Sequence, residues 1–311
     1  MTRISYFFVL VLLLTGFNGC KKTETNTPKL IFKFKFDPTQ ARYDSFGNLQ
    51  TSLPATHAGQ SPTFNAMSAH YIELTKGALV QVGAGTVIYH APEVTTGGAT
   101  AIDFTQSKFA KDGEVFYEMN LKDVAPGDYE YLRVSLAYQN YDVNLYIDTI
   151  YNYLGVNVPI QAEYPCTVAS FIGYNTYLTN YKVKNQSLTV NNNKKQGYWG
   201  FEMSADFYGQ PYNLLTSGQA PAGATTVVNP IAATSPIPNG SCLVTGTFGS
   251  ASKLKITGTE TKDIVVTVSL STNKSFEWVE ASGHEDGKWE PSKGEVIVDM
   301  GVRGMIPSAQ Y

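Results

Sequence analysis

Two histidines in the first third of the chain each stand three residues ahead of a glutamate, as His70-Tyr71-Ile72-Glu73 and His90-Ala91-Pro92-Glu93. Imidazole nitrogens suit copper and zinc, and a carboxylate can complete or orient such a ligand set. On a helix, H-x-x-E spacing puts both side chains on one face. On a strand, residues i and i+3 point to opposite faces, so neither pair is by itself a chelate. A metal centre from these residues needs His70 and His90 on neighbouring strands, with Glu73 or Glu93 in support. The plainer alternative is a strand histidine satisfied by a carboxylate or by backbone.

A second candidate lies near the end of the chain, from Glu280 to Glu290, with Glu295 beyond it. A calcium loop takes oxygen ligands at alternate positions, a glycine at its sharp turn and a closing glutamate. Ser282, His284 and Asp286 alternate ahead of Gly287, and Glu290 and Glu295 follow. Histidine is the wrong donor for calcium, and Glu295 comes two residues late for the closing acid. The stretch reads as an eroded calcium loop or as a hairpin tip with acidic decoration.

The third candidate is cysteine chemistry. Arg3 leads into an apolar run from Ile4 to Leu14, followed by Thr15, Gly16 and Phe17-Asn18-Gly19-Cys20. A basic start, a short apolar stretch and small residues before a cut form a secretory signal. The run is too short for a membrane-spanning helix, which needs roughly 20 residues. Gly19-Cys20 resembles the cleavage site of bacterial lipoproteins. That resemblance implies cleavage before Cys20, a lipid on its thiol, and, with Lys21 in place of an aspartate, placement in the outer membrane. Residues 1–19 are then the signal, 20–29 a polar tether and 30–311 the folded domain. An exported chain meets an oxidising compartment, so Cys166 and Cys242 are expected to form a disulfide. Without C-x-x-C spacing they do not read as a zinc knuckle.

Familiar catalytic signatures are missing: no G-x-S-x-G, H-E-x-x-H, Walker loop or G-x-G-x-x-G. Asp103, Glu118 and Asp142 are the acids a motif-free hydrolase would draw on. The formal net charge of −3 carries no nucleic-acid footprint.

The elements that must position these residues are strands. Leu30, Phe32, Phe34 and Phe36 alternate with Ile31, Lys33 and Lys35, a period of two with one apolar face. The same pattern recurs over Val115–Leu121 and Tyr131–Leu136. Further strands are expected at Tyr71–Leu74, Thr86–His90, Thr167–Ile172, Tyr177–Val183, Tyr198–Met203, Leu243–Phe248, Lys253–Thr257, Ile264–Leu270, Phe276–Val279 and Val296–Met300. Turn signals fall at Ala125-Pro126-Gly127-Asp128, Asn191-Asn192-Asn193, Pro238-Asn239-Gly240 and Asp286-Gly287. No amphipathic helix of ten residues or more is evident. The expected fold is all-β, an antiparallel β-sandwich of many short strands, with a long Pro- and Gly-rich loop over 209–241. Twenty tyrosines, crowded between Tyr138 and Tyr181, serve either cross-strand packing or a ligand-facing platform.

The order IFKFKFD, SAHYIEL, DVAPGDYEYLRVSLAYQN and Gly197-Tyr198-Trp199-Gly200-Phe201 resembles that of the MbnP-like secreted β-sandwich proteins. Some members of that family are linked to copper handling, and the 209–241 insertion departs from their pattern. The reading is a non-enzymatic binding module anchored in the outer membrane by lipid, with a metal such as copper as its ligand, or calcium at the acidic loop. The alternative is a carbohydrate- or protein-binding module that uses exposed tyrosine and tryptophan.

Overall fold

The computed structural model describes residues 27–44, 46–221, 224, 243–249 and 252–311. Period-two segments become strands nearly everywhere. In chain order these are β1 (Lys29–Asp37), β2 (His57–Gln60), β3 (Thr63–Thr75), β4 (Thr86–His90), β5 (Glu93–Val94), β6 (Ala101–Asp103), β7 (Val115–Asn120) and β8 (Gly127–Tyr129). The middle of the chain gives β9 (Tyr131–Tyr153), β10 (Val156–Phe171), β11 (Thr176–Lys182), β12 (Ser187–Lys194), β13 (Tyr198–Phe207) and β14 (Gln210–Gln219). The last part gives β15 (Leu243–Thr247), β16 (Leu254–Ile256), β17 (Ile264–Ser271), β18 (Phe276–Val279), β19 (Val296–Asp299) and β20 (Met305–Gln310). Three single-turn 3-10 segments are the only helical elements among the described residues, and no helix there is long and apolar enough to cross a membrane.

A central sheet runs β14-β13-β10-β9-β3-β4, with β15 also paired to β9. It is antiparallel throughout. A second sheet, β20-β17-β1-β7, packs against it. Leu30, Phe32, Phe34, Val266 and Val268 meet Met67, Ile72, Leu132 and Val134 in the main core. The alternation in β1 that was legible in the sequence is the inward face of this sandwich. β1 and β17 are parallel, so this sheet is mixed.

Two smaller cores flank the main one. Tyr141, Val143, Val168 and Phe201 pack with Phe276 and Trp278 of β18 and with Trp289. Ala169 and Phe171 pack with Leu178, Tyr181 and Val183 beside the β12-β11-β6-β5 sheet. Val168 and Ala169 are neighbours on β10, so these two cores lie on opposite faces of the central sheet.

Three sequence expectations change. Asn191-Asn192-Asn193 is strand, inside β12, with the positive φ confined to Asn191 (50°) beside a break in the β11–β12 register. Residues 210–219 of the expected loop are β14, joined to β13 by a tight turn with Tyr208 and Gly209 both at positive φ. Residues 222–223 and 225–242, including Pro238-Asn239-Gly240, lie outside the described residues. The expected Cys166–Cys242 bridge is not present: Cys166 is a free, buried thiol that donates to the Val143 carbonyl at 3.3 Å. Burial pushes that thiol up to about 12, so it is an inert core group rather than a nucleophile. Cys242, the signal segment and Cys20 lie outside the described residues.

Candidate metal centre

His70 sits at an irregularity in β3. The β3–β9 register steps from Ala69↔Leu136 to Tyr71↔Ser135 and leaves His70 unpaired. An extra residue of this kind is a β-bulge, which re-aims side chains. Its effect on the inward face is direct: Met67 and Ala69 belong to the main core, and so do Ile72 and Leu74. The alternation skips a beat at His70-Tyr71, leaving both side chains half-exposed outside that core.

His90 ends β4, directly opposite Tyr71. Ala91 then donates its amide to the His70 carbonyl at 2.8 Å. Pro92 follows and cannot extend a hydrogen-bonded ladder, so the chain turns before β5. That turn brings Glu93 back beside His90 despite the i+3 spacing. Glu93 Oε1 lies 2.9 Å from His70 Nε2 and 3.9 Å from His90 Nε2.

The ligand atoms of His70, His90 and Glu93 all lie within 4.8 Å of one another, and they form the one such acid, histidine or cysteine group among the described residues. His90 Nδ1 is 2.9 Å from the Ala91 carbonyl. A ring nitrogen facing a carbonyl carries the proton, which leaves Nε2 with a free lone pair. This is the usual way a metal-binding imidazole is oriented. The Tyr174 ring stacks on His70 at 5.7 Å and 9°, and the two imidazoles sit 5.0 Å apart. Burial lowers the His70 pKa; the Glu93 hydrogen bond opposes this, and the neighbouring His90 adds to it. The balance favours the neutral form of the His70 ring.

Glu73 does not join the site. It is fully buried, pairs with Arg133 at 3.3 Å and accepts the amides of Gly83 and Gly85. Arg133 also donates to the carbonyls of Ala78, Val80 and Gln81. The pair thus clamps the 76–85 loop over the β3–β9 ladder, where Glu73 and Arg133 stand directly opposite. Its role is structural.

The acidic loop does not converge either. Ser282 and Asp286 are exposed, while Glu290 and Glu295 are buried. Asp286 pairs with Lys288 at 3.0 Å, and the Glu290 amide donates to Glu295 Oε2. These carboxylates satisfy a cation and backbone donors of their own loop instead of sharing one centre. Asp103 caps a 3-10 turn through Thr105, Glu118 pairs with Lys29, and Asp142 accepts from Asn65 and Thr167. The three are held by separate local partners.

Of the tryptophans, Trp278 and Trp289 are buried and Trp199 is half-buried. Tyr89, Tyr129, Tyr138, Tyr141, Tyr181 and Tyr198 are core residues. Cross-strand packing therefore accounts for much of the aromatic content. Sequence reasoning missed Tyr174 as a wall of the histidine site and Arg133 as the partner of Glu73. Pro92 was the one signal that Glu93 could fold back. No known family model, curated protein or solved structure matches this chain.

Proposed function

We propose that this chain is an exported, lipid-anchored, non-enzymatic β-sandwich that binds a transition-metal ion through His70, His90 and Glu93. The observation that carries the reading is their convergence, three ligand atoms within 4.8 Å, from β3, the end of β4 and the start of β5. Two imidazoles and one carboxylate form a borderline donor set that suits copper(II) and zinc, with copper(II) favoured by the ordinary affinity order. Metal–nitrogen bonds of about 2.0–2.1 Å place tetrahedral ligand atoms roughly 3.3 Å apart. Three protein ligands leave a further position for water or a delivered group. The envelope placement rests on Phe17-Asn18-Gly19-Cys20, and a lipid there gives a tether rather than a span.

The test is metal content and titration of the Cys20→Ser chain. Near-stoichiometric copper or zinc is expected, lost in His70→Ala and His90→Ala and weakened in Glu93→Gln. Glu73→Gln alters stability without removing an ion ligand. Metal retained in both histidine variants, or never bound, overturns the reading.

A further inference from the structure

A cavity of about 380 Å³ lies at the other side of the central sheet, within the volume range of small-molecule sites. Its walls are almost entirely apolar: Leu145, Val168, Leu214, Ile297 and Met300, with three aromatic side chains, Trp199, Phe201 and Trp289. The Phe201 and Trp289 rings meet edge to face at 6.0 Å. Trp199 is laid across β14 at Gly218, its direct partner in the β13–β14 ladder. A Cβ at Gly218 would come within 2.5 Å of the Trp199 ring, so the missing side chain is what lets the indole lie flat.

One carboxylate breaks this apolar wall. Glu295 lines the cavity and is only 6% exposed. Its Oε2 accepts the Glu290 amide, while Oε1 has no hydrogen-bond partner. Among the described residues, no lysine, arginine or histidine lines the cavity. Burial raises the Glu295 pKa; the backbone amides of Glu290 and Ala281 oppose this, and the Glu290 and Glu280 carboxylates add to it. The basic side chains of the same loop have partners elsewhere: Lys293 pairs with Asp148 at 3.4 Å, and Lys288 pairs with Asp286 and lies over the Tyr146 ring at 3.9 Å.

A buried carboxylate oxygen without a partner is costly. A cation that supplied an N–H there would remove the cost, and aromatic faces attract such a cation within about 6 Å of their centroids. We propose that this cavity is a binding site for a small apolar amine in its ammonium form, the charged end on Glu295 Oε1 and the hydrocarbon between Trp199, Phe201 and Trp289. It shares no residue with the histidine site and stands independently of it.

The experiment is calorimetric titration of the full-length protein in mild detergent with hexylammonium, phenethylammonium, hexanol and hexanoate. Saturable binding of the two ammonium probes is expected, with hexanol weaker by roughly tenfold, as for loss of a charge-assisted hydrogen bond, and hexanoate weaker still. Glu295→Gln reduces ammonium binding to the level of hexanol. Leu214→Trp fills the cavity from β14 and reduces all four while leaving the carboxylate in place. Hexanol bound as tightly as hexylammonium, no saturable ammonium binding, or full ammonium binding in Leu214→Trp would each overturn the proposal. The comparison of probes on the unaltered protein decides it even if Glu295→Gln fails to fold.

Discussion

His70 and Glu73 differ by three positions and have opposite fates, and both fates follow from what surrounds them. Burial keeps His70 neutral below the ordinary imidazole value of about 6.5. With a folded pKa below the unfolded one, the native state binds fewer protons, so this contribution to stability is lost as pH falls through about 6.5. Glu93 is the partner that raises the His70 pKa, so Glu93→Gln is expected to move the His70 NMR titration lower still. An upward move would mean that Glu93 is not its partner in solution. Glu73 and Arg133 are both fully buried, and removing one charge strands the other. Glu73→Gln is expected to cost about 3–5 kcal/mol in urea unfolding; a loss under 1 kcal/mol, the range of an exposed pair, would contradict the buried geometry.

At the scale of elements, glycine at one turn decides how the histidine site is walled. Gly173 follows β10 and precedes Tyr174, the ring stacked on His70. Its amide donates to Ala137, and a Cβ there would meet the Leu136 carbonyl at 2.2 Å. Because the clash is with backbone, Gly173→Ala is expected to cost about 1–3 kcal/mol, as overpacking does. It should also weaken metal binding by moving Tyr174. Unchanged melting and unchanged affinity together would show that this approach is looser than described.

The strands themselves were legible because period two survives in single stretches such as Leu30–Phe36 and Ile264–Leu270. The site was half legible. His70 and His90 do come together, but fixed alternation hides a bulge: one extra residue in β3 reverses the phase, and nothing in SAHYIEL marks where it falls. Glu73 could not be separated from Glu93 without knowing that Arg133 stands across the ladder. Asn191-Asn192-Asn193 read as a turn since asparagine favours positive φ, yet only Asn191 adopts it. Of the β9–β10 ribbon, clear sequence signals mark only Tyr131–Leu136 and Thr167–Ile172. Its turn is Leu154-Gly155, both at positive φ, with no Asn-Gly signal to announce it.

For the whole molecule, the central sheet works as a partition. Its three cores share no buried residue although β9 feeds all of them, and the histidine site and the amine cavity share no residue either. Saturating the protein with zinc is therefore expected to leave hexylammonium affinity unchanged within about twofold, since sites that share no contacts couple weakly. A larger change would reveal a conformational link across the sheet.

The parallel pairing of β1 with β17 also governs when the fold can form. Leu30 finds Ile264, and Asp37 finds Ser271, across most of the chain's length. The first described strand to leave a ribosome must wait for one of the last, with only β7 to hold it meanwhile. Such non-local closure makes folding slow, because loop entropy is lost before the contacts return it. A chain cut after residue 260 should keep the β9–β10 ribbon yet leave Phe32 and Phe34 without their sheet, so it should collapse without cooperative melting. Synthesis can therefore run nearly to completion before the sandwich locks, which leaves the polypeptide threadable for almost all of that time.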